Sequence, residues 1–174
     1  MKHAMKESVY LTLGSNLNQE RCYPLAVKKL AELGEIAAVS PVYQTEPIGL
    51  EDGAGKFFNG AVLLLTELTP EELKTRLTED VEIALGRIHL PGETWLSRPI
   101  DVDIALWGNT VGDILGRPVP DPDILRFVHV ALPLADLAPD LQHPTDGRTL
   151  AEIAEDLVGS GSLPEVCRDI ILDF

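Results

Sequence analysis

Thiols, basic residues, aromatics and long apolar runs are all scarce in this chain of 174 residues. Each shortage removes a class of function. The only cysteines, Cys22 and Cys167, stand far apart and in no CxxC pattern, which excludes a thiolate zinc site and points to a reducing compartment. Fourteen lysines and arginines face 28 acids, a formal net charge of −14. A surface that neutralises nucleic-acid phosphates needs the opposite sign, so no nucleic-acid partner is expected. A small nucleotide is compatible with that charge, because a divalent metal supplies the positive charge locally. No apolar run approaches the roughly 18 residues of a membrane span. Met1 to Val9 is charged and lacks the continuous apolar segment of a signal peptide. The histidines (His3, His89, His129, His143) show neither HxxxH nor HExxH spacing, and the glycines form neither a dinucleotide fingerprint nor a P-loop. The expectation is a soluble, cytoplasmic protein of one domain over residues 1–174, possessing small-molecule partners and no membrane contact.

What is present is ordinary globular material, 45% hydrophobic and 24% charged. Ser8 to Leu13 reads as a strand that stops at the turn Gly14-Ser15-Asn16. Asn16 or Asn18 then caps a helix with the stripe Leu25, Val27, Leu30 and Leu33, ended by Gly34. Pro24 suits the first turn of that helix. Ile36 to Tyr43 reads as a second strand, interrupted by Pro41 as at a sheet edge or bulge. After a glycine-rich loop from Thr45 to Gly55, Phe57 to Leu65 reads as a buried strand. Thr69-Pro70-Glu71-Glu72 is a helix start, and Leu73, Leu77, Val81 and Leu85 carry the helix to Gly86. A second irregular loop, Arg87 to Pro99, leads into a strand from Ile100 to Trp107. A short helix from Asp123, helical fragments near Leu134 and Leu150 to Leu157, and a covering strand from Asp169 to Leu172 follow. This order is the βαββαβ, ferredoxin-like arrangement: an α+β fold with a mainly antiparallel sheet and helices packed against it.

The chemistry concentrates in Arg98-Pro99-Ile100-Asp101-Val102-Asp103-Ile104. Residues two apart on a strand share a face, so Asp101 and Asp103 set two carboxylates side by side while Ile100, Val102 and Ile104 point the other way. Two adjacent carboxylates repel each other unless a cation compensates them, and carboxylate, phosphate and water are the ligands Mg²⁺ prefers. A solvated sheet face would carry the same pair, and spacing alone leaves both readings open. Arg87 and Arg98 bracket the loop, as a phosphate clamp would, or as ordinary surface charges. Trp95 in that loop has no obvious core to join. Of Phe57 and Phe58, one belongs in the core and the other faces the opposite side, where a planar ligand could stack. The neighbouring Asn59 offers a donor and an acceptor.

Taken in order, these pieces resemble the 6-hydroxymethyl-7,8-dihydropterin pyrophosphokinase family over about Val9 to Leu157. The motifs are Leu13-Gly14-Ser15-Asn16-Leu17, the run from Ser40-Pro41-Val42-Tyr43 to Gly49, Phe57-Phe58-Asn59, Thr69-Pro70-Glu71-Glu72-Leu73, Gly86-Arg87, the aspartate strand, and Leu132-Pro133-Leu134 through Ala138-Pro139-Asp140-Leu141. The resemblance implies ATP-dependent transfer of pyrophosphate to the pterin's hydroxymethyl oxygen in folate biosynthesis, with AMP released. It also implies two Mg²⁺ ions on Asp101 and Asp103, catalytic roles for Arg87 and Arg98, and ATP contacts from Glu82, Trp95, Arg98 and Ile104. The matching pterin pocket comprises Thr45, Glu46, Ile48, Phe57 and Asn59, with His129 at the family's stacking position.

The chain departs from the family pattern in places. Trp95-Leu96-Ser97-Arg98 stands where the family has Trp-Gly-Pro-Arg. Thr94 and His89 replace basic residues. Pro120-Asp121-Pro122 replaces Pro-His-Pro, which turns a phosphate contact into an acid. Counting back from Pro133, Phe127 and His129 occupy the family's arginine and phenylalanine positions, unless an insertion preserves Arg126. Weaker phosphate binding, a modified pterin substrate, or a non-catalytic ligand-binding module would each accommodate these changes.

Overall fold

The structure, a computed structural model, describes residues 5–46, 55–88, 97–161, 163–167, 170 and 172–174. The core of the fold is one antiparallel sheet. Strand β1 (Glu7–Ser15) lies between β4 (Phe57–Thr66) and β5 (Asp101–Trp107). β2 (Glu35–Val39) and β3 (Tyr43–Thr45) share the other edge of β4, and β8 (Glu165–Val166) pairs with β3. Counting β2 and β3 as one interrupted strand gives the ferredoxin-like arrangement. The interruption falls at Ser40–Val42, where Pro41 has no N–H to give a ladder.

Strict alternation in β1 buries Val9, Leu11 and Leu13 on one face. There they meet Val27 and Leu30 of α1 (Gln19–Leu30) and Leu73 of α2 (Pro70–Arg76). The helix start at Thr69 is a capping box: the Glu72 N–H donates to Thr69 Oγ1 at 3.3 Å, and the Thr69 N–H donates to Glu72 Oε2 at 2.8 Å. α2 then widens into a π-helical stretch, Leu77–Ile83. The reason lies in the apolar spacing. On an α-helix each step of four residues overshoots one turn by about 40°, and the wider π turn brings Leu77 and Val81 back over the core beside Leu73.

The opposite face is covered at one end by α3 (Val128–Leu137) and α4 (Leu150–Gly159), which pack Leu134, Leu150 and Ile153 around Ala61 and Leu106. Its other end, near Gly14, carries the residues singled out in the sequence. A small hairpin, β6 (Gly112–Ile114) and β7 (Arg117–Val119), follows β5. No helix among the described residues is long and apolar enough to cross a membrane. Cys22 and Cys167 are both free thiols.

Three local expectations change. Pro24 sits inside α1, not in its first turn, where it removes one main-chain donor. Asn18 occupies the cap position in a left-handed conformation, with its carbonyl rather than its side chain accepting from Cys22 at 2.8 Å. The tail pairs at Glu165–Val166, earlier than the strand expected at Asp169 to Leu172, of which Asp169 and Ile171 lie outside the described residues.

Candidate active site

Strand register brings the two halves of the site onto one face. Asp101 is paired with Gly14, Gly14 with Asn59, and Asn59 with Tyr43, so four strands contribute one row. Asp103, Thr12 and Ala61 form the row below, and Phe57 pairs with Thr45 on the other side. Between the acidic and amide halves stands Gly14, which adds no side chain. A Cβ there would lie 3.4 Å from Asn59 Oδ1.

The acidic half is caged by cations. Arg87 Nη1 donates to Asp101 Oδ1, and Arg98 Nη1 donates to Asp101 Oδ2. Arg87 also reaches Glu82 Oε1 at 3.2 Å and the Ile100 carbonyl at 3.4 Å. The helix end fixes this geometry. Gly86, at φ +94°, lets the Arg87 N–H return to the Glu82 carbonyl and the Gly86 N–H to that of Ile83, both at 2.9 Å. Glu82 and Arg87 thus emerge side by side. On the open edge of β5, Glu82 Oε1 accepts the Val102 N–H at 2.8 Å.

Electrostatics separate the carboxylates. Burial alone would raise the Asp101 carboxyl, but Arg87 and Arg98 outweigh it and hold it below its ordinary 3.8. Burial, followed by the charge of Asp101, pushes Asp103 above that value despite Lys74. The same two causes push Glu82 up to about 7.

Arg98 is held by the Gly14-Ser15-Asn16 turn, a role the sequence did not signal. The N–H groups of Asn16 and Leu17 donate to the Arg98 carbonyl at 3.1 and 3.2 Å, and Asn16 Oδ1 accepts the Arg98 N–H at 2.8 Å. Ser15 Oγ donates to the Pro99 carbonyl.

A cleft opens beside Asp103. Ile104 with Ile114 and Val119 makes its apolar wall, and Lys74, Arg117 and Asp121 bring charge. Asp121 is anchored to β5 by its N–H, which donates to the Ala105 carbonyl at 2.9 Å.

In the amide half, Asn59 is buried and its Nδ2 donates to Thr45 Oγ1 at 2.7 Å. Phe58 enters the core, leaving Phe57 half-buried on the site face. Glu46 is exposed and paired with Lys56 at 3.2 Å. His129, in the first turn of α3, stacks on Phe127 with ring centroids 5.3 Å apart, and the Arg126 guanidinium lies 5.1 Å from the Phe127 centroid. α3 is tied to the sheet by Tyr43, whose hydroxyl donates to Asp136 Oδ2 at 2.6 Å. Ile48, His89, Thr94, Trp95 and Leu96 lie outside the described residues.

Among the described residues no three histidine, cysteine or acidic side chains come together as a metal cage. Asp101 and Asp103, neighbours on one strand face, are the residues that could hold a metal, and carboxylate oxygen completed by water and phosphate is the donor set that Mg²⁺ accepts. Fold and site together define a class: a ferredoxin-like protein with an arginine-held carboxylate site fitted to phosphate-group transfer.

Comparison with known proteins narrows that class. Residues 10–139 match the 7,8-dihydro-6-hydroxymethylpterin-pyrophosphokinase (HPPK) family, and the chain belongs to it. It is 38% identical over 152 residues to the 2-amino-4-hydroxy-6-hydroxymethyldihydropteridine pyrophosphokinase of Pseudomonas aeruginosa, covering 86% of this chain and 91% of that protein. The protein of the same description from Aquifex aeolicus is 34% identical, with 83% and 89% covered. The folic acid synthesis protein fol1 of Pneumocystis carinii is 32% identical over 97% of this chain, which spans 23% of that protein. The crystal structure of wild-type HPPK-DHPS from Plasmodium falciparum matches with a TM-score of 0.66 at 13% identity, covering 91% of this chain and 46% of that one. That likeness is one of fold, over less than half of the longer chain.

Proposed function

We propose that this chain transfers the β,γ-pyrophosphoryl group of ATP to the hydroxymethyl oxygen of 6-hydroxymethyl-7,8-dihydropterin, a step of folate biosynthesis. The observation that carries this reading is the row Asp101–Gly14–Asn59. Neighbouring strands lie about 4.8 Å apart, so the carboxylate and the amide are separated by roughly 10 Å across a bare glycine. That span suits a bicyclic ring read by Asn59 and Thr45 at one end, with its hydroxymethyl arm directed at phosphate held near Asp101.

Asp101 and Asp103 would hold two Mg²⁺ ions with the phosphates, and bound metal supplies positive charge to that chain. Arg87 and Arg98 fix Asp101 in place and present guanidinium charge where negative charge develops. The pterin oxygen forms its bond to the β phosphorus as the α–β bridge breaks. AMP leaves with the bridging oxygen on its α phosphate, and the hydroxyl proton passes to solvent water. Trp95 and Ile104 would contact ATP, as would Glu82 and Arg98, whereas Glu46, Ile48, Phe57 and His129 would border the pterin. The two free cysteines support a cytoplasmic place.

The test is Asp103→Ala, assayed with ATP, Mg²⁺ and the pterin. AMP formation is expected to vanish together with Mg²⁺-dependent nucleotide binding, while pterin binding persists. Unchanged nucleotide affinity would overturn the assignment of the carboxylate pair.

A further inference from the structure

The cleft beside Asp103 carries more acid than base. Asp103, Asp121 and Asp123 line it, against the cations Lys74 and Arg117. Lys74 is the unusual member. Its side chain keeps only 13% of its surface exposed, and lysine is seldom buried unless well paired. Its ammonium has three donors. Among the described residues, its acceptors are Asp103 Oδ1 and the Val102 carbonyl, both at 3.5 Å. Bonds of that length are weak. The ammonium therefore retains donor capacity where it borders the cleft. Its place is fixed by the backbone, since the adjacent Leu73 is fully buried and the helix is pinned at its start by the Thr69–Glu72 capping box.

We propose that Lys74 is a nucleotide-phosphate-binding residue: its ammonium neutralises Asp103 where that carboxylate has no other cation, and would pass to the phosphate chain of ATP where a divalent cation is held by the carboxylate. This rests on the functional reading above for the location of ATP and cation. With a divalent cation on Asp103, Lys74 would lose that carboxylate as its partner, and phosphate oxygens beside it would offer the ammonium other acceptors. The flexible four-carbon stem of lysine permits that exchange of partner without movement of the helix.

The exchange gives effects of opposite sign when the charge is removed. Lys74→Met keeps an apolar stem in place but carries no charge. Without it Asp103 is open to metal, so Mn²⁺ added alone should bind several-fold tighter, read by electron paramagnetic resonance. Binding of α,β-methylene ATP in Mg²⁺ should weaken by roughly tenfold or more, as loss of a charge-assisted bond requires, read by calorimetry. Lys74→Arg should retain most of the nucleotide affinity. A residue serving only to hold the helix would not move the two affinities in opposite directions. Nucleotide affinity of Lys74→Met close to that of the unchanged protein would overturn the proposal, as would Mn²⁺ and nucleotide affinities falling together. Both readouts are of binding, so they remain decisive even if the protein forms no AMP with the pterin.

Discussion

Asp121→Asn isolates the electrostatics of the cleft without any substrate. The Asp121 carboxylate accepts the Asp123 N–H at 2.9 Å, opening the short 3₁₀ turn Pro122–Leu125. Burial first, then the charges of Asp103 and Asp123, raises its pKa from 3.8 to about 6, although the Asp123 N–H and Arg117 work against the rise. A carboxyl with a raised folded pKa binds its proton more tightly in the native state. Its contribution to stability is complete below pH 3.8 and is lost as the pH climbs through about 6. About 2 pH units at about 1.4 kcal/mol each give about 3 kcal/mol, which partial exposure reduces to about 2 kcal/mol. Asparagine keeps the acceptor oxygen and never ionises. In EDTA, the variant should match the unchanged protein at pH 4 and exceed it by about 2 kcal/mol at pH 8, a gain of roughly 4–8 °C in Tm. Urea and thermal unfolding at both pH values measure it. Equal stability at pH 8, or the same offset at both pH values, would refute the reasoning.

Other substitutions probe the remaining supports of the site. Arg87→Ala should cost about 3–5 kcal/mol in urea unfolding, because it takes from the buried Glu82 the cation that it shares with Asp101, which keeps Arg98. Gly60→Ala would place a Cβ 2.1 Å from the Tyr23 hydroxyl oxygen. It should lose about 1–3 kcal/mol, with most of the loss recovered in the double variant with Tyr23→Phe, measured by chemical denaturation. Tyr43→Phe removes the bond from β3 to Asp136 on α3. A loss of about 1–2 kcal/mol in stability is expected, and steady-state kinetics should show a larger rise in KM for the pterin than for ATP.

Local rules made much of this fold legible. The capping residues at Thr69 gave the start of α2, and β-prone or nearly continuous apolar runs bounded by turns gave β1, β4 and β5. The order of the elements then sufficed for the ferredoxin-like class. The carboxylate pair was visible because period two places Asp101 and Asp103 together whatever the rest of the chain does. Long-range register was not visible. That Asp101, Gly14 and Asn59 share one row depends on pairings across more than forty residues, which no local pattern encodes. The π stretch was hidden because a spacing of four reads as ordinary helix, although its drift is the signal that a wider turn is needed. Ser15 and Asn16 looked like turn residues and prove to be buried clasps of the Arg98 segment. Lys74 gave no sign at all, since a lysine in the second turn of an amphipathic helix normally faces solvent.

The central claim is that one sheet face brings the phosphate chain and the pterin into line. Its most direct test is the product formed from ATP and Mg²⁺ with and without 6-hydroxymethyl-7,8-dihydropterin. The account predicts AMP, one for each pterin consumed, with none in the absence of pterin. ADP as the product, or AMP formed at the same rate without pterin, would contradict it.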